Sequence, residues 1–452
     1  MSRNAVTDSC FPVADSGKAT VDSDEDMEDL NEDMEDSDED MMDVDEVSRD
    51  PDEETKDDKQ LKRWRSIWLM TPNSEKLTIH GKNSRFCYAV TSMQGWRRTM
   101  EDKHAVQLHL GNNSRGSAFF AVFDGHGGNA VAEFARAFLH QTLCEDEEYA
   151  RRAYPKALRN AFLKVDAKLS GVYGDMAVGS TANVALVTGK GRIYLANAGD
   201  SRAVLSNKGK AKTLSTDHKT SIPVEKARVE AADGYVWRGR VNNDLAMTRA
   251  LGDFRYKQNM NLPPEKQIVT ADPEVMEHEI TEEDEFLILA CDGIWDCLES
   301  QQVVDLVRLF VSQGKMLSKV CEDICQYCLA PHPIMGRGSD NMTLMVVALL
   351  HGRTPREWSE WVTERTVSRY GYDTPEMPPE IYSPAEVERM RPIFERVWHE
   401  IPAYEAKVRA SQSQTEDDAA SVLKIRIKIP GVNTLEPKSN DFKTRVQVHT
   451  IL

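Results

Sequence analysis

The sequence predicts an α+β fold, a β-sandwich with helices against it, and three observations carry that expectation. From about residue 86 to 352, short apolar runs rich in β-branched and aromatic residues are bounded by Gly, Asn and Asp, the pattern of strands ended by turns. These runs bunch together with few helical patterns between them, whereas a doubly wound parallel sheet alternates strand and helix throughout. On either side the texture changes, to an acidic low-complexity stretch before the window and to helical patterns with capping signals after it.

The chain has 452 residues and a formal charge of −18, unevenly placed. Residues 1–60 hold 24 of the 74 acidic residues and 5 of the 56 basic ones, so this tail carries −19 and residues 61–452 sum to about +1. VDSDEDMEDLNEDMEDSDEDMMDVDE, 21–46, can bury too little apolar surface to offset chain entropy and is expected to be disordered. It reads as a solubilising tail or as an arm that binds basic proteins; Ser23 and Ser37, each followed by three acidic residues, suit an acid-directed kinase. The nearly neutral remainder gives no reason to expect nucleic-acid or anionic-membrane binding. No run approaches 18 apolar residues, so membrane insertion is not expected, and MSRNAVTDSC offers neither a signal core nor a myristoylation glycine. Eight irregularly spaced cysteines suit a reducing compartment, cytosol or nucleus, and LKRWR is too short a basic run to choose between them.

Candidate strands, in order, are FCYAVTSM, SAFFAVF, ANVALVTG, RIYLANAG, RAVLSN, EFLILAC and TLMVVALL; YLANAGDSRAVL reads as a hairpin. Val131, Phe134, Ala135, Phe138 and Leu139 recur at three and four residues and predict a helix, with further helices over 155–169 and 301–312. Cys321, Cys325 and Cys328 share one helix face with Val320 and Ile324 and have no second Cys or His pair nearby, so they read as packing residues. Thr354-Pro-Arg-Glu357 and Ser383-Pro-Ala-Glu386 each set a hydroxyl cap, a proline at the first helical position and a glutamate at the third, predicting a helical annex. VLKIRIKI and RVQVHTIL alternate like a terminal hairpin, after a linker at 411–420.

FFAVFDGHGGNA, 119–130, admits two readings: a tight turn, or a site at a strand end with Asp124, the Gly125 carbonyl and a following helix N-terminus. A turn alone does not explain why Asp-Gly recurs after a second apolar run, at Asp292-Gly293 in FLILACDGIWD. Asp340 stands just before TLMVVALL, and Glu101-Asp102 stand together in GWRRTMEDKHAV. Carboxylates crowded at one site repel one another and need a cation, and oxygen ligands favour Mg²⁺ or Mn²⁺ over zinc.

These motifs resemble the metal-dependent protein serine/threonine phosphatases of type 2C. The resemblance covers about residues 84–352 and runs in family order through SMQGWRRTMEDKH, FFAVFDGHGG, VGSTANVALV, YLANAGDSRAVL, STDHK, RVNNDLAMTRALGDFRYK, VTADPEV, LILACDGIWD and GSDNMTLMVV. It implies a four-layer αββα sandwich of two mainly antiparallel sheets. It further implies two metal ions bridged by Asp124, one completed by Asp292 and Asp340, the other by Glu101 and the Gly125 carbonyl, with Asp102 hydrogen-bonding their waters. Arg97 matches the phosphate-binding arginine, His126 the acid that protonates the leaving oxygen, and Asp200 a ligand, with Asp292, of a weaker third ion. The implied reaction is hydrolysis of phosphoserine and phosphothreonine in proteins by metal-bound water, with no cysteine or serine nucleophile. Two divalent ions suit it because they lower the pKa of a shared water and hold the attack in line.

Each residue also has a plainer reading. Asp102 would cap a turn, Asp200 would sit in the β-turn of the expected hairpin, and Arg249 would serve either the flap motif or an internal salt bridge. Asp217 and Asp253 read as structural, and ADGYV carries Asp233-Gly234 where the family has Gly-Gly. The rival to an active enzyme is a silent member that uses the fold as a binding module, and the presence of every core carboxylate argues against it. The expected organisation is an acidic tail over 1–60, a catalytic domain over 61–352, a helical annex over 353–410 and a terminal segment over 411–452, in a monomer.

Overall fold

The computed structural model describes residues 67–111, 116–174 and 176–395, all within the unit Lys56–Leu452. The acidic tail, residues 396–410 of the annex, the linker and the expected terminal hairpin lie outside the described residues.

Four strands open the described chain: β1 (Trp68–Lys82), β2 (Phe86–Arg97), β3 (Lys103–Gln107) and β4 (Ala118–Phe123). A two-residue β5 (Gly125–His126) leads into α1 (Ala130–Glu145), α2 (Glu147–Ala150) and α3 (Tyr154–Tyr173). Next come β6 (Gly179–Ser180), β7 (Ala182–Val187), β8 (Arg192–Ala198), β9 (Arg202–Asn207) and β10 (Lys210–Thr213). An excursion, the flap, carries α4 (Pro223–Ala231), β11 (Val236–Trp237), β12 (Arg240–Val241) and β13 (Leu251–Gly252). The chain returns through β14 (Glu274–Glu279), β15 (Asp284–Ala290), α5 (Asp292–Trp295), α6 (Ser300–Ser312), α7 (Leu317–Cys328) and β16 (Met342–Leu349), then enters α8 (Pro355–Val367). Residues 384–395 are helical as well.

Two antiparallel sheets form the sandwich, one in the order β1-β2-β16-β15-β9-β10, the other β14-β8-β7-β4-β3. Alternation along β4 shows the layering. Ala118, Phe120 and Val122 meet Val90, Leu287, Leu289 and Met345 of the other sheet, while Phe119, Ala121 and Phe123 meet Ala135, Leu139, Leu158 and Phe162 of α1 and α3. The outer face of the six-stranded sheet is covered in the same way by α6, α7 and Trp358 of α8. The fold is therefore αββα, and its inner strands are mostly apolar along both faces because both faces are buried.

Cys321, Cys325 and Cys328 sit on the buried face of α7 and pack into the core. Both capping predictions hold locally: Thr354 and Glu357 make reciprocal bonds at the start of α8, and Ser383 Oγ accepts from Glu386 N at 3.2 Å. The expected hairpin YLANAGDSRAVL does not form. β8 and β9 belong to different sheets, and Gly199-Asp200-Ser201 carries the chain from one to the other. Both strands are buried, so each needs a sheet on its flank, and the crossing leaves Asp200 at the end of the sandwich.

Candidate active site

The strand register places every predicted site residue at one end of the sandwich. β4 ends beside the start of β3 (Phe123 opposite Lys103), so Asp124 and the Glu101-Asp102 pair are neighbours. β15 ends beside the start of β16 (Ala290 opposite Leu344), which sets Asp292 against Asp340. β16 in turn starts beside the end of β2 (Met342 opposite Met93), which brings Arg97 to the same edge.

Backbone and buried polar groups hold these residues in place. Asp124 N donates to Thr181 Oγ1 at 3.0 Å, and Thr181 N donates back to the Asp124 carbonyl at 2.8 Å. Asn341 ties three segments together: its Oδ1 accepts from Glu101 N at 2.8 Å, and its Nδ2 donates to the carbonyls of Gln94 and Thr99 at 2.8 and 2.9 Å. Glu101 accepts from Thr99 Oγ1 and from Gly128 N just before α1. A Cβ on Gly125 would stand 2.7 Å from the Glu101 carbonyl, so that glycine permits the close approach of the two strand ends. Arg97 donates to Asp340 Oδ2 at 2.5 Å and lies 5.2 Å from the Trp68 ring.

The electrostatics of the cleft are those of crowded acids. Burial, and then the charges of Asp292, Asp102, Asp340 and Asp200, push Asp124 well above the usual carboxylate range. Asp292 is raised likewise, by burial and then by Asp340, Asp200 and Asp296, and lies within hydrogen-bond reach of Asp124. Asp200 is raised mainly by burial, although Lys219 opposes the shift. Burial pushes Asp102 up to about 6 against the hydrogen bond its Oδ2 accepts from Thr343 Oγ1 at 2.7 Å. Asp102 Oδ1 and Asp200 Oδ1 are buried without a hydrogen-bond partner, and an oxygen-only donor set with surplus negative charge fits a divalent cation.

Asp102, Asp124 and Cys291 bring one ligand atom each within 4.8 Å of one another. Burial, and then Asp102 and Asp124, raise the Cys291 thiol well above its ordinary value, so it stays protonated and is a poor nucleophile.

His126 is held by a residue that the sequence reading classed as structural. Its Nε2 lies 2.7 Å from Oδ2 of Asp253, a buried residue 127 positions away in left-handed backbone (φ 53°). The contact spans the small sheet β13-β6-β5, whose middle strand supplies Gly179. A Cβ there would stand 2.2 Å from Asp253 Oδ2 and 2.4 Å from His126 Nε2. Burial lowers the His126 pKa, but the hydrogen bond and charge of Asp253, aided by Asp200 and Glu101, outweigh it and the net shift is upward. Its Nδ1 is buried without a partner.

Several other residues are taken up by partners of their own. Arg249 pairs with Glu225 at 2.5 Å and donates to the Asp272 carbonyl at 2.9 Å, the internal salt bridge of its two readings. Asp217 holds Arg202 through two bonds, at 3.0 and 2.6 Å. His104 and His218 are pushed down to about 4, chiefly by burial. The sequence reading does not single out Thr181, Asn341 and Asp296, and it takes Asp253 as structural. Asp296 was the most legible of these, because it stands one turn after Asp292 in DGIWD and its charge acts on Asp292 and Asp200.

An αββα sandwich with such a cleft of crowded, buried carboxylates at its strand ends defines a protein built around a divalent-metal centre. Residues 86–333 match the family model described as protein phosphatase 2C. "Protein phosphatase 2C homolog 2" of Hypocrea jecorina is 44% identical over 322 residues, covering 69% of this chain and 73% of that protein. The protein of the same name from Schizosaccharomyces pombe is 44% identical over 323 residues, covering 70% and 87%. A phosphatase crystal structure from Toxoplasma gondii superposes with a TM-score of 0.53 at 26% identity, covering 61% of this chain and 96% of that one. The chain belongs to the protein phosphatase 2C family and is a metal-dependent protein phosphatase. Among the described residues, no helix is long and apolar enough to cross a membrane.

Proposed function

We propose that the chain hydrolyses phosphoserine and phosphothreonine in proteins by direct attack of water in this cleft. The observation that carries the reading is the crowding of buried carboxylates: burial and then the charges of Asp292, Asp102, Asp340 and Asp200 raise Asp124; Asp340, Asp200 and Asp296 raise Asp292; and Asp217 and Asp296 raise Asp200 against Lys219. Asp124, Asp292, Asp340, Glu101 and the Gly125 carbonyl would hold two Mg²⁺ or Mn²⁺ ions, and Asp200 with Asp292 a weaker third. Bound there, such ions supply charge neutralisation and an acidified water at neutral pH.

The remaining work falls to the chain itself. Arg97 presents a planar fork of N–H donors to the phosphoryl oxygens, oriented by Asp340 and Trp68. Asp102, fixed by Thr343, orients water from behind the acids. His126, with Nε2 tied to Asp253, uses Nδ1 to protonate the departing serine or threonine oxygen, and its raised pKa keeps that proton available near neutrality.

The test is hydrolysis of p-nitrophenyl phosphate and of a phosphothreonine peptide with and without Mn²⁺ or Mg²⁺. Activity should require the metal and fall by about 10³-fold in Asp124→Asn, the scale on which an essential charge-stabilising group acts. Metal-independent turnover, or full turnover in the variant, would overturn the reading.

A further inference from the structure

We propose that the C-terminal annex is a positioning element for the phosphate-binding edge of the cleft, acting through Tyr382, Glu386 and Phe394. The proposal rests on the reading that Arg97 and Asp340 serve the cleft. The annex lies beyond residues 86–333, which match the family.

The segment between α7 and β16 carries Asp340 and has neither strand nor α-helix, only a 3₁₀ turn at Pro333–Met335, a bond from Ala330 N to the Gly338 carbonyl at 2.9 Å, and short local bonds from Arg337 N to the Met335 carbonyl at 2.9 Å and from Ser339 Oγ to the Gly336 carbonyl at 2.7 Å. A segment with so few internal bonds is ordered by what packs on it. The annex packs on it from two sides. The Tyr382 hydroxyl donates to the Cys328 carbonyl at 2.6 Å and lies 3.3 Å from that of Arg337. Gly338 (φ 73°) is what admits the ring, since a Cβ there would stand 1.8 Å from the hydroxyl. The Arg337 guanidinium lies 5.3 Å over the same ring, with Nη2 on both Glu386 oxygens at 2.9 and 2.7 Å and on the Ile381 carbonyl at 2.9 Å. Arg337 and Gly338 stand three and two residues before Asp340.

The second side reaches Arg97. Phe394 stacks on His332 at 4.2 Å between centroids and meets Trp96 edge-on at 6.3 Å. Trp96 is buried, donates from its indole to the Ala330 carbonyl at 2.9 Å, and immediately precedes Arg97. One small apolar cluster thus joins Trp96, Ala330 and Met335 of the cleft edge to Tyr382, Val387 and Phe394 of the annex. Arg97 and Asp340, themselves in contact, are each backed by the annex within a few residues.

Such backing holds the two groups in one geometry before phosphate arrives, and binding then costs less ordering. An annex that only covered apolar surface would contribute to stability and leave the cleft's affinities alone.

The experiment uses the full chain with Tyr382→Phe, Glu386→Gln, their double variant, and Phe394→Ala. Amide hydrogen exchange over residues 328–341 without metal, Mn²⁺ and inorganic phosphate affinities by calorimetry, and kcat and KM for p-nitrophenyl phosphate are read on each. In the double variant the segment should exchange faster, and Mn²⁺ and phosphate should each bind about 10-fold more weakly, the scale of one or two lost hydrogen bonds. kcat at saturating metal should change by less than about 3-fold. Phe394→Ala should weaken phosphate while leaving Mn²⁺ within about twofold. Unchanged exchange and affinities in folded variants would overturn the proposal, as would a lowered melting temperature with affinities intact. An inactive wild type would sink the phosphatase reading, while exchange and phosphate binding would still decide the coupling.

Discussion

At the cleft, Asp124, Asp292, Asp200 and Asp102 are all pushed upward by burial, and like charges add to it. At the base of the flap, Glu225 is just as enclosed, yet bonds and charges from Arg249 and Arg228 overcome burial and hold it down at about 2. The second region supplies its own cations and the first supplies too few. Buried acids matched by arginines bind the molecule together, whereas buried acids matched by one another are held ready for a cation from outside.

The largest expected effect tests the matched side. Glu225→Gln leaves Arg228 and Arg249 without their carboxylate and should destabilise the fold by about 3–5 kcal/mol, the scale of a broken buried ion pair. A carboxylate whose folded pKa is depressed contributes stability that is present above its unfolded pKa and lost as pH falls through the folded one. The gap between wild type and variant in urea melts should therefore be full at pH 7 and close between about pH 4.5 and pH 2. A gap independent of pH would remove Glu225 from the comparison.

Asp253 sharpens the contrast, because its carboxylate faces a cleft residue and not an arginine. Asp253→Asn should lower kcat on a phosphothreonine peptide by about 10²-fold, the contribution of a proton donor, and far less on p-nitrophenyl phosphate, whose leaving group departs without one. Equal losses on both substrates would make Asp253 a packing residue.

On the crowded side the sign reverses. Without metal, Asp124→Asn should raise stability by about 1 kcal/mol, since a like charge is removed. With Mn²⁺ at about 100 times its dissociation constant, the wild type should gain about 2.7 kcal/mol and the variant much less. Thermal melts in the two conditions read both effects, and a variant that melts lower without metal contradicts the crowding argument.

The smallest effect lies in the flap turn. Asp233 stands where the family has glycine and takes left-handed backbone (φ 68°), which aspartate tolerates better than most residues. Asp233→Gly should shift stability by no more than about 0.5 kcal/mol in either direction, because relieved strain is offset by a looser unfolded chain. A larger change in urea melts would mean that the carboxylate has a role in the flap.

Much of the fold was legible because burial on both faces writes itself into the chain. β4, β7, β15 and β16 are largely apolar runs, and Asp124, Asp292 and Asp340 stand beside the ends of β4, β15 and β16, so strands and acids are legible together. β1 was missed because WLMTPNSEKLTIHGK is half-exposed, interrupted by proline, and breaks register with β2 between Trp68 and Lys76.

What the sequence determined by itself, then, was local: which segments extend, where helices start, and which polar residues stand at element ends. Those properties depend on neighbours a few positions apart, through side-chain period, turn chemistry and caps. What only the tertiary structure decided was partnership across long separations: β8 and β9 parted into two sheets, Asp253 against His126, Arg249 against Glu225, and Tyr382 over the segment that carries Asp340. These follow from closing two sheets face to face and wrapping helices around them, which sets distant residues at hydrogen-bond distance with no local pattern to announce it.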